Sequence, residues 1–386
     1  MGRSGRRGRR RAGAVAVVAL ALLLGGCGDG SAPTTEQQTM GGTTPTALPT
    51  LDPGRTPLRD LVPQGVVIGA AASGGGHNGG RADPFQADEE YRALIGVEFS
   101  SLTPENQLKW EYVHPQPDVY AFDAADDIVD YAEEHGMAVR GHTLVWHSQN
   151  PAWLENGGYS DDELREILHE HITTVVGRYA GRIDQWDVAN EIFDETGSLR
   201  TEENIWLREL GPGIVADAFR WAHEADPDAL LFLNDYDAET VNPKTDAYLA
   251  LVEELLAEGV PVHGFGAQAH LSLEHDSPGD GLRQNLQRFA DLGLATAITE
   301  ADVRVELAGS RATPADLQRQ AAYYTDLVAG CLAVEGCDSI TLWGFTDRYS
   351  WVPSWFTGMG AATVLTEDYE RKPAYDAVAA ALGAGR

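Results

Sequence analysis

The chain has 386 residues, with 28 Lys and Arg against 59 Asp and Glu, a formal net charge of −31 and 3 Cys. A surface that acidic repels a phosphate backbone and excludes nucleic acid as a partner, and three cysteines are too few for a disulfide scaffold. With 43% hydrophobic residues and 9 Trp the chain can bury a large core, and barrel folds pass 200 residues as one unit.

Six arginines (Arg3, Arg6, Arg7, Arg9, Arg10 and Arg11) and no acid occupy the first eleven residues. The apolar run 12–24 behind them is shorter than the ~20 residues that span a bilayer as a helix, and it fits the core of an export signal. It ends in Leu24-Gly25-Gly26-Cys27. Small residues before a cysteine resemble the bacterial lipoprotein processing box, in which the cysteine is lipidated and becomes the new N-terminus. An ordinary secretory signal with an incidental cysteine is the alternative, and the arginine pairs leave twin-arginine export open. Residues 1–27 thus read as a leader ending at lipidated Cys27. Without it the balance is 22 basic against 59 acidic residues. Residues 28–57 are mostly Gly, Ser, Thr, Pro and Gln with few large apolar side chains, a solvated tether. The expectation is an extracytoplasmic, membrane-anchored monomer, secreted instead if the signal is ordinary. The folded unit is 58–386.

From Leu58 onward, strand patterns alternate with helical ones. The strands expected are 66–71, 99–103, 138–145, 183–189, 230–235, 264–270, 295–299 and 339–345. Helices are expected at 126–135, 161–179, 213–224, 243–258, 281–292, 314–333 and 373–382. Ser160 followed by Glu163 forms a capping box before the second. Eight such units predict an α/β fold, a closed (β/α)₈ TIM barrel with a parallel sheet. An open doubly wound sheet would need a glycine-rich phosphate turn after its first strand. Gly74-Gly75-Gly76 stands there, but no helix opens directly behind it.

Active sites of such barrels sit at the C-terminal ends of the strands. Those ends carry Glu105, Asn106 and Lys109; His142, Trp146 and His147; Asn190 and Glu191; Asn234 and Asp235; Gln268 and His270; Glu300 and Asp302; and Trp343, with Trp351 beyond. Tryptophan faces stack on sugar rings while amides and charges bond hydroxyls, so the rim reads as a carbohydrate site. Cleaving a glycosidic bond takes one carboxyl to protonate the leaving oxygen and another on the opposite face of the sugar. Glu191 closes strand four in Trp186-Asp187-Val188-Ala189-Asn190-Glu191, and Glu300 closes strand seven in Ile298-Thr299-Glu300. These strands are three apart in an eight-strand ring, so their ends face each other across the mouth.

Several segments, in order, resemble glycoside hydrolase family 10, the endo-β-1,4-xylanase family. They are Ser101-Leu102-Thr103-Pro104-Glu105-Asn106 running to Lys109-Trp110, Arg140-Gly141-His142-Thr143-Leu144-Val145-Trp146-His147, and the two glutamate segments above. Leu233-Asn234-Asp235-Tyr236, Gln268-Ala269-His270 and Trp343-Gly344-Phe345-Thr346-Asp347 continue the likeness. It covers about 66–382. The resemblance implies an endo-1,4-β-xylanase that acts on xylan and xylo-oligosaccharides with retention and no cofactor. It makes Glu191 the acid/base and Glu300 the nucleophile, with carboxyls roughly 5–5.5 Å apart. Asn190 would bond the 2-hydroxyl of the sugar at the cleavage point, and His270 and Gln268 would orient the nucleophile and bond the same sugar. Glu105, Asn106 and Lys109 would hold sugars on the non-reducing side. His142, Trp146, Trp343 and Trp351 would wall the cleft. Ala189, Ala301 and Asp237 depart from the family's usual residues without removing a catalytic group.

The family often has a disulfide where Cys331 and Cys337 stand, and an exported chain permits that pairing. His142 and His147 lie five apart on a strand pattern, on opposite faces, and no third ligand falls at metal spacing, so no metal is expected. The pairs Glu89-Glu90 and Glu253-Glu254 read as solvated helix faces. The Gly74–Gly80 stretch and the loop 306–313 carry no assigned role. A β-1,4-glucanase, a silent xylan-capturing surface protein and a structural wall protein stay open as other readings.

Overall fold

The computed structural model describes residues 55–75, 82–309 and 311–385. The expected leader, lipidated Cys27 and nearly all of the tether lie outside the described residues, as does most of the Gly74–Gly80 stretch. Arg55, near the expected end of the tether, ion-pairs with Asp376 at 2.6 Å.

Eight strands form the frame: β1 (Val67–Ala72), β2 (Ser101–Pro104), β3 (Ala138–Val145), β4 (Gln185–Asn190), β5 (Leu230–Asp235), β6 (Gly264–Ala267), β7 (Ala295–Glu306) and β8 (Cys337–Leu342). Each pairs in parallel with its neighbour in sequence. The first also pairs with the last, Val67 opposite Ser339 and Ile68 opposite Ile340, which closes the barrel.

The sixth expected strand runs through to residue 270; in the structure it is interrupted. It ends at Ala267, Ala269 adopts a φ of +63°, and a separate short strand His270–Ser272 pairs with Asp302–Arg304. The partner explains the break. β7 does not stop at 299 but continues to Glu306, and its outer half needs a strand of its own to satisfy backbone groups. The eighth strand ends earlier than expected, at Leu342, and Gly344 turns the chain at φ +85°.

The long helices start where the sequence signals them. Ser160 Oγ accepts from the Glu163 amide while the Glu163 carboxylate accepts from Ser160 N at 2.9 Å, so the capping box is formed. Asn242 with Thr245 and Thr313 with Asp316 make two more, each with Pro at the first helical position. Short helices such as Glu89–Glu98 and Ile205–Leu210 come in addition to those expected. Glu89 and Glu90 sit in the first turn of theirs, where the helix dipole favours negative charge. Cys331 and Cys337 are joined, tying the end of helix Pro314–Leu332 to the start of β8.

Strand alternation sorts the barrel wall. Trp186 points out and is completely buried, lying over the neighbouring strand where a Cβ on Gly141 would meet its ring at 2.3 Å. Asp187 points in. There Arg140 donates through Nε to Asp187 Oδ2 at 3.1 Å and through Nη1 to Gln185 Oε1 at 2.7 Å, with its guanidinium 4.5 Å from the Phe232 ring centroid. Removing either partner of that pair would strand a buried charge, a loss of about 3–5 kcal/mol. One layer higher, Gly266 makes room for a polar side chain: a Cβ there would stand 2.5 Å from Asn234 Oδ1.

Candidate active site

The strand ends converge on a cleft of about 460 Å³ at the C-terminal mouth. Glu191 follows β4 directly with a φ of +52°, a left-handed backbone that a non-glycine residue adopts only under constraint. Its Oε1 accepts from Gln268 Nε2 at 3.0 Å and its Oε2 from Trp146 Nε1 at 2.8 Å, with His147 Nδ1 at 3.8 Å from Oε2.

Glu300 sits within β7, on the other side of the ring. Its Oε1 accepts from Asn234 Nδ2 at 2.7 Å, and His270 Nε2 lies 3.2 Å from its Oε2. Burial alone would raise its pKa; the charge of His142 and the hydrogen bond from His270 outweigh that and hold the carboxyl below its ordinary range. His270 in turn is clamped. Its Nδ1 lies 3.0 Å from Asp302 Oδ2, and although burial disfavours its charge, Asp302 and Glu300 push its pKa up to about 10. The imidazole is therefore a cation at neutral pH and donates from both nitrogens. Asp302 Oδ2 also accepts from Trp351 Nε1 at 2.7 Å, so one carboxylate fixes both the histidine and the indole.

An amide network joins the two glutamates. Asn190 Oδ1 accepts from Asn234 Nδ2 at 2.9 Å and from Gln268 Nε2 at 3.2 Å. Thr299 Oγ1 donates to Asn234 Oδ1 at 2.6 Å, and with Glu300 this fixes the Asn234 amide. The opposite orientation of Asn190 would set two NH₂ groups 2.9 Å apart, so its oxygen must face Asn234. Asn190 is fully buried and, like the strand-end residues Asn234, Asp235 and Asp302, lies behind the cleft wall, whereas the other residues expected to touch sugar line it.

On one flank Glu105 accepts from Gly74 N at 2.9 Å, and burial pushes its pKa up to about 7 against the pull of that amide and of Lys109. Lys109 Nζ donates to Asn106 Oδ1 at 2.9 Å and to Gln149 Oε1 at 3.0 Å, and stands 4.9 Å from the Trp146 ring centroid. Trp343 is 6% exposed, so only an edge of it reaches the cleft, whereas Trp146 and Trp351 are half-buried. His142 and His147 both line the cleft. Strand alternation does not separate them, because β3 ends at Val145 between them. His142 donates toward Asp187 Oδ2 at 2.9 Å and faces Glu300 Oε1 at 4.0 Å. No group of three metal-ligating side chains forms among the described residues.

The sequence of residues 60–381 matches the model of glycosyl hydrolase family 10. The chain belongs to glycosyl hydrolase family 10. Endo-1,4-beta-xylanase B of Thermotoga neapolitana is 42% identical over 290 residues, 75% of this chain and 82% of that protein. Endo-1,4-beta-xylanase A of Phanerodontia chrysosporium is 38% identical over 77% of this chain and 72% of its own. Among solved structures, xylanase 10B from Thermotoga petrophila RKU-1 in complex with xylobiose superposes with a TM-score of 0.79 at 40% identity, covering 85% of this chain and 97% of that one.

This family 10 site gives several groups roles that the sequence had not assigned. Asp187, Asp302, Asn234 and Gln149 hold the glutamates, histidines and Lys109 in place. Tyr236, Asp237, Arg304, Trp355 and Phe356 complete the wall. Asp302 and Asn234 were visible as strand-end residues, but which partner each takes depends on register. Trp355 follows Trp351 on a short helix, Val352–Trp355, whose aromatic pair is the one local signal for it.

Proposed function

We propose that this chain is an endo-1,4-β-xylanase that cleaves internal bonds of xylan with retention of configuration. The observation that carries the reading is the pairing of Glu191 and Glu300 across an open, tryptophan-lined cleft, joined through Asn190, Asn234 and Gln268. Glu300, kept ionised by His142 and His270, attacks the anomeric carbon while Glu191 gives its proton to the departing oxygen. A covalent glycosyl ester results. Glu191, now a carboxylate, takes a proton from water, whose oxygen displaces Glu300 and restores the starting state. Two inversions give retention.

Asn190, behind the wall, acts through its oxygen, which holds the Asn234 and Gln268 amides beside the sugar at the cleavage point. Glu105, Asn106 and Lys109 hold sugars on the non-reducing side, Trp146 and Trp351 supply stacking faces, and Trp343 presents an edge. Initial rates on xylan and carboxymethyl-cellulose test the substrate, since one hydroxymethyl per sugar separates the polymers. Faster hydrolysis of the cellulose derivative would make it a glucanase, and no reducing-sugar release from either would make it a silent capture protein.

The leader supports a second element of the reading: lipidation at Cys27 holds the enzyme outside the cytoplasm, on a membrane. Cys27→Ala should release it in active form, and failure of the unaltered protein to take up a fatty-acid label would overturn the anchor.

A further inference from the structure

Among the described residues most guanidiniums are matched to carboxylates, as Arg200 is to Glu195 at 3.3 Å and Arg288 to Asp246 at 2.5 Å. Besides the His270 imidazolium, two basic side chains line the cleft, Lys109 and Arg304. Lys109 is engaged by Asn106 and Gln149. Arg304 is different. It lies on the outer half of β7, past Asp302, and is half-buried. Nη1 donates to the His270 carbonyl at 3.3 Å, and the guanidinium carbon stands 4.3 Å from the Phe356 ring centroid. Among the described residues no carboxylate forms an ion pair with it.

The charge is thus held in a fixed plane by an aromatic ring and a backbone carbonyl, with the remaining N–H groups unassigned. A guanidinium so arranged is built to receive a planar carboxylate through two parallel hydrogen bonds. The positive groups that act most strongly on Glu300 are instead His142 and His270. The same cleft is lined by Trp355, 65% exposed, its ring centroid 6.3 Å from that of Trp351. An exposed indole and an ion-pair-free guanidinium in one cleft offer a stacking face and an anion contact to the same acidic chain.

We propose that Arg304, with Trp355, receives the carboxylate of a uronic acid branch carried by the polysaccharide in the cleft. The proposal rests on the xylanase reading and adds a class of decoration to it. In a protein of net charge −31 an acidic branch is otherwise repelled, so one open cation on the cleft wall decides whether such chains are tolerated.

The test compares glucuronoxylan with the same polymer after its uronate carboxyls are reduced to alcohols, in the unaltered enzyme, Arg304→Met and Arg304→Lys. The readout is the ratio of kcat/KM on the two polymers within each protein, so a general loss of folding or catalysis cancels. The unaltered enzyme should prefer the charged polymer by on the order of fivefold, a partly solvated charge-assisted contact. Arg304→Met should bring the ratio to one or below, and Arg304→Lys should keep part of it. A ratio of one in the unaltered enzyme, or one unchanged in Arg304→Met, overturns the branch site while leaving the xylanase reading standing. Failure to hydrolyse either polymer overturns both.

Discussion

The indole N–H of Trp146 donates to Glu191 Oε2 at 2.8 Å. A residue expected only to wall the cleft therefore also aims the carboxyl that gives up the proton. Trp146→Phe keeps most of the ring and removes the donor. It should lower kcat/KM on xylo-oligosaccharides by roughly tenfold, the scale of one hydrogen bond to a charged group. Because Trp146 is only half-buried, thermal stability should change little. A large drop in Tm with normal kinetics would place its role in packing instead.

His270 links stability to alkaline pH. Its folded pKa, about 10, stands above the ordinary value near 6.5, so the native state binds the proton more tightly than the unfolded chain. That contribution is whole below about pH 6.5 and is lost as pH rises through about 10. Denaturant unfolding of the unaltered protein and of His270→Gln across this window should show a stability difference that shrinks with rising pH. A difference independent of pH would mean that the imidazole is not held charged between Asp302 and Glu300.

How much of this was legible depended on what local sequence encodes. Glu191 and Glu300 stand out because each closes an apolar strand pattern in the sequence, although β7 itself runs on past Glu300 to Glu306. The clamp on His270 is not written locally. It arises because β6 breaks at Ala269 and the chain resumes pairing against an extended β7, which brings Asp302 beside a histidine 32 residues earlier. Gln149 and Arg304 were missed for a similar reason: one lies in an irregular loop at φ +50°, the other on the part of β7 that the expected strand omits. Trp343, at a strand end, does line the cleft, but its 6% exposure, set by packing, was not visible in the sequence.

The disulfide offers a separate test of packing against chemistry. Cys331 and Cys337 close a loop with a sequence separation of 6, far from the glutamates in the chain. Replacing both with serine should cost about 2 kcal/mol in the chain-entropy account and lower Tm by about 2–4 °C in a domain of this size. Values of kcat and KM on xylan should be unchanged. An unchanged Tm would show that the bridge constrains little.

The central claim is the division of labour between Glu191 and Glu300, and product stereochemistry in azide tests it most directly. With an aryl xylobioside bearing a good leaving group, Glu191→Ala should still form the covalent ester and then stall for want of a base. Azide should release it as a β-configured glycosyl azide, the result of two inversions. Glu300→Ala forms no ester, and azide can give it at most the α-configured product through one inversion. The account predicts β-azide from Glu191→Ala, read by NMR. An α-azide from Glu191→Ala together with a β-azide from Glu300→Ala would contradict it and exchange the two roles.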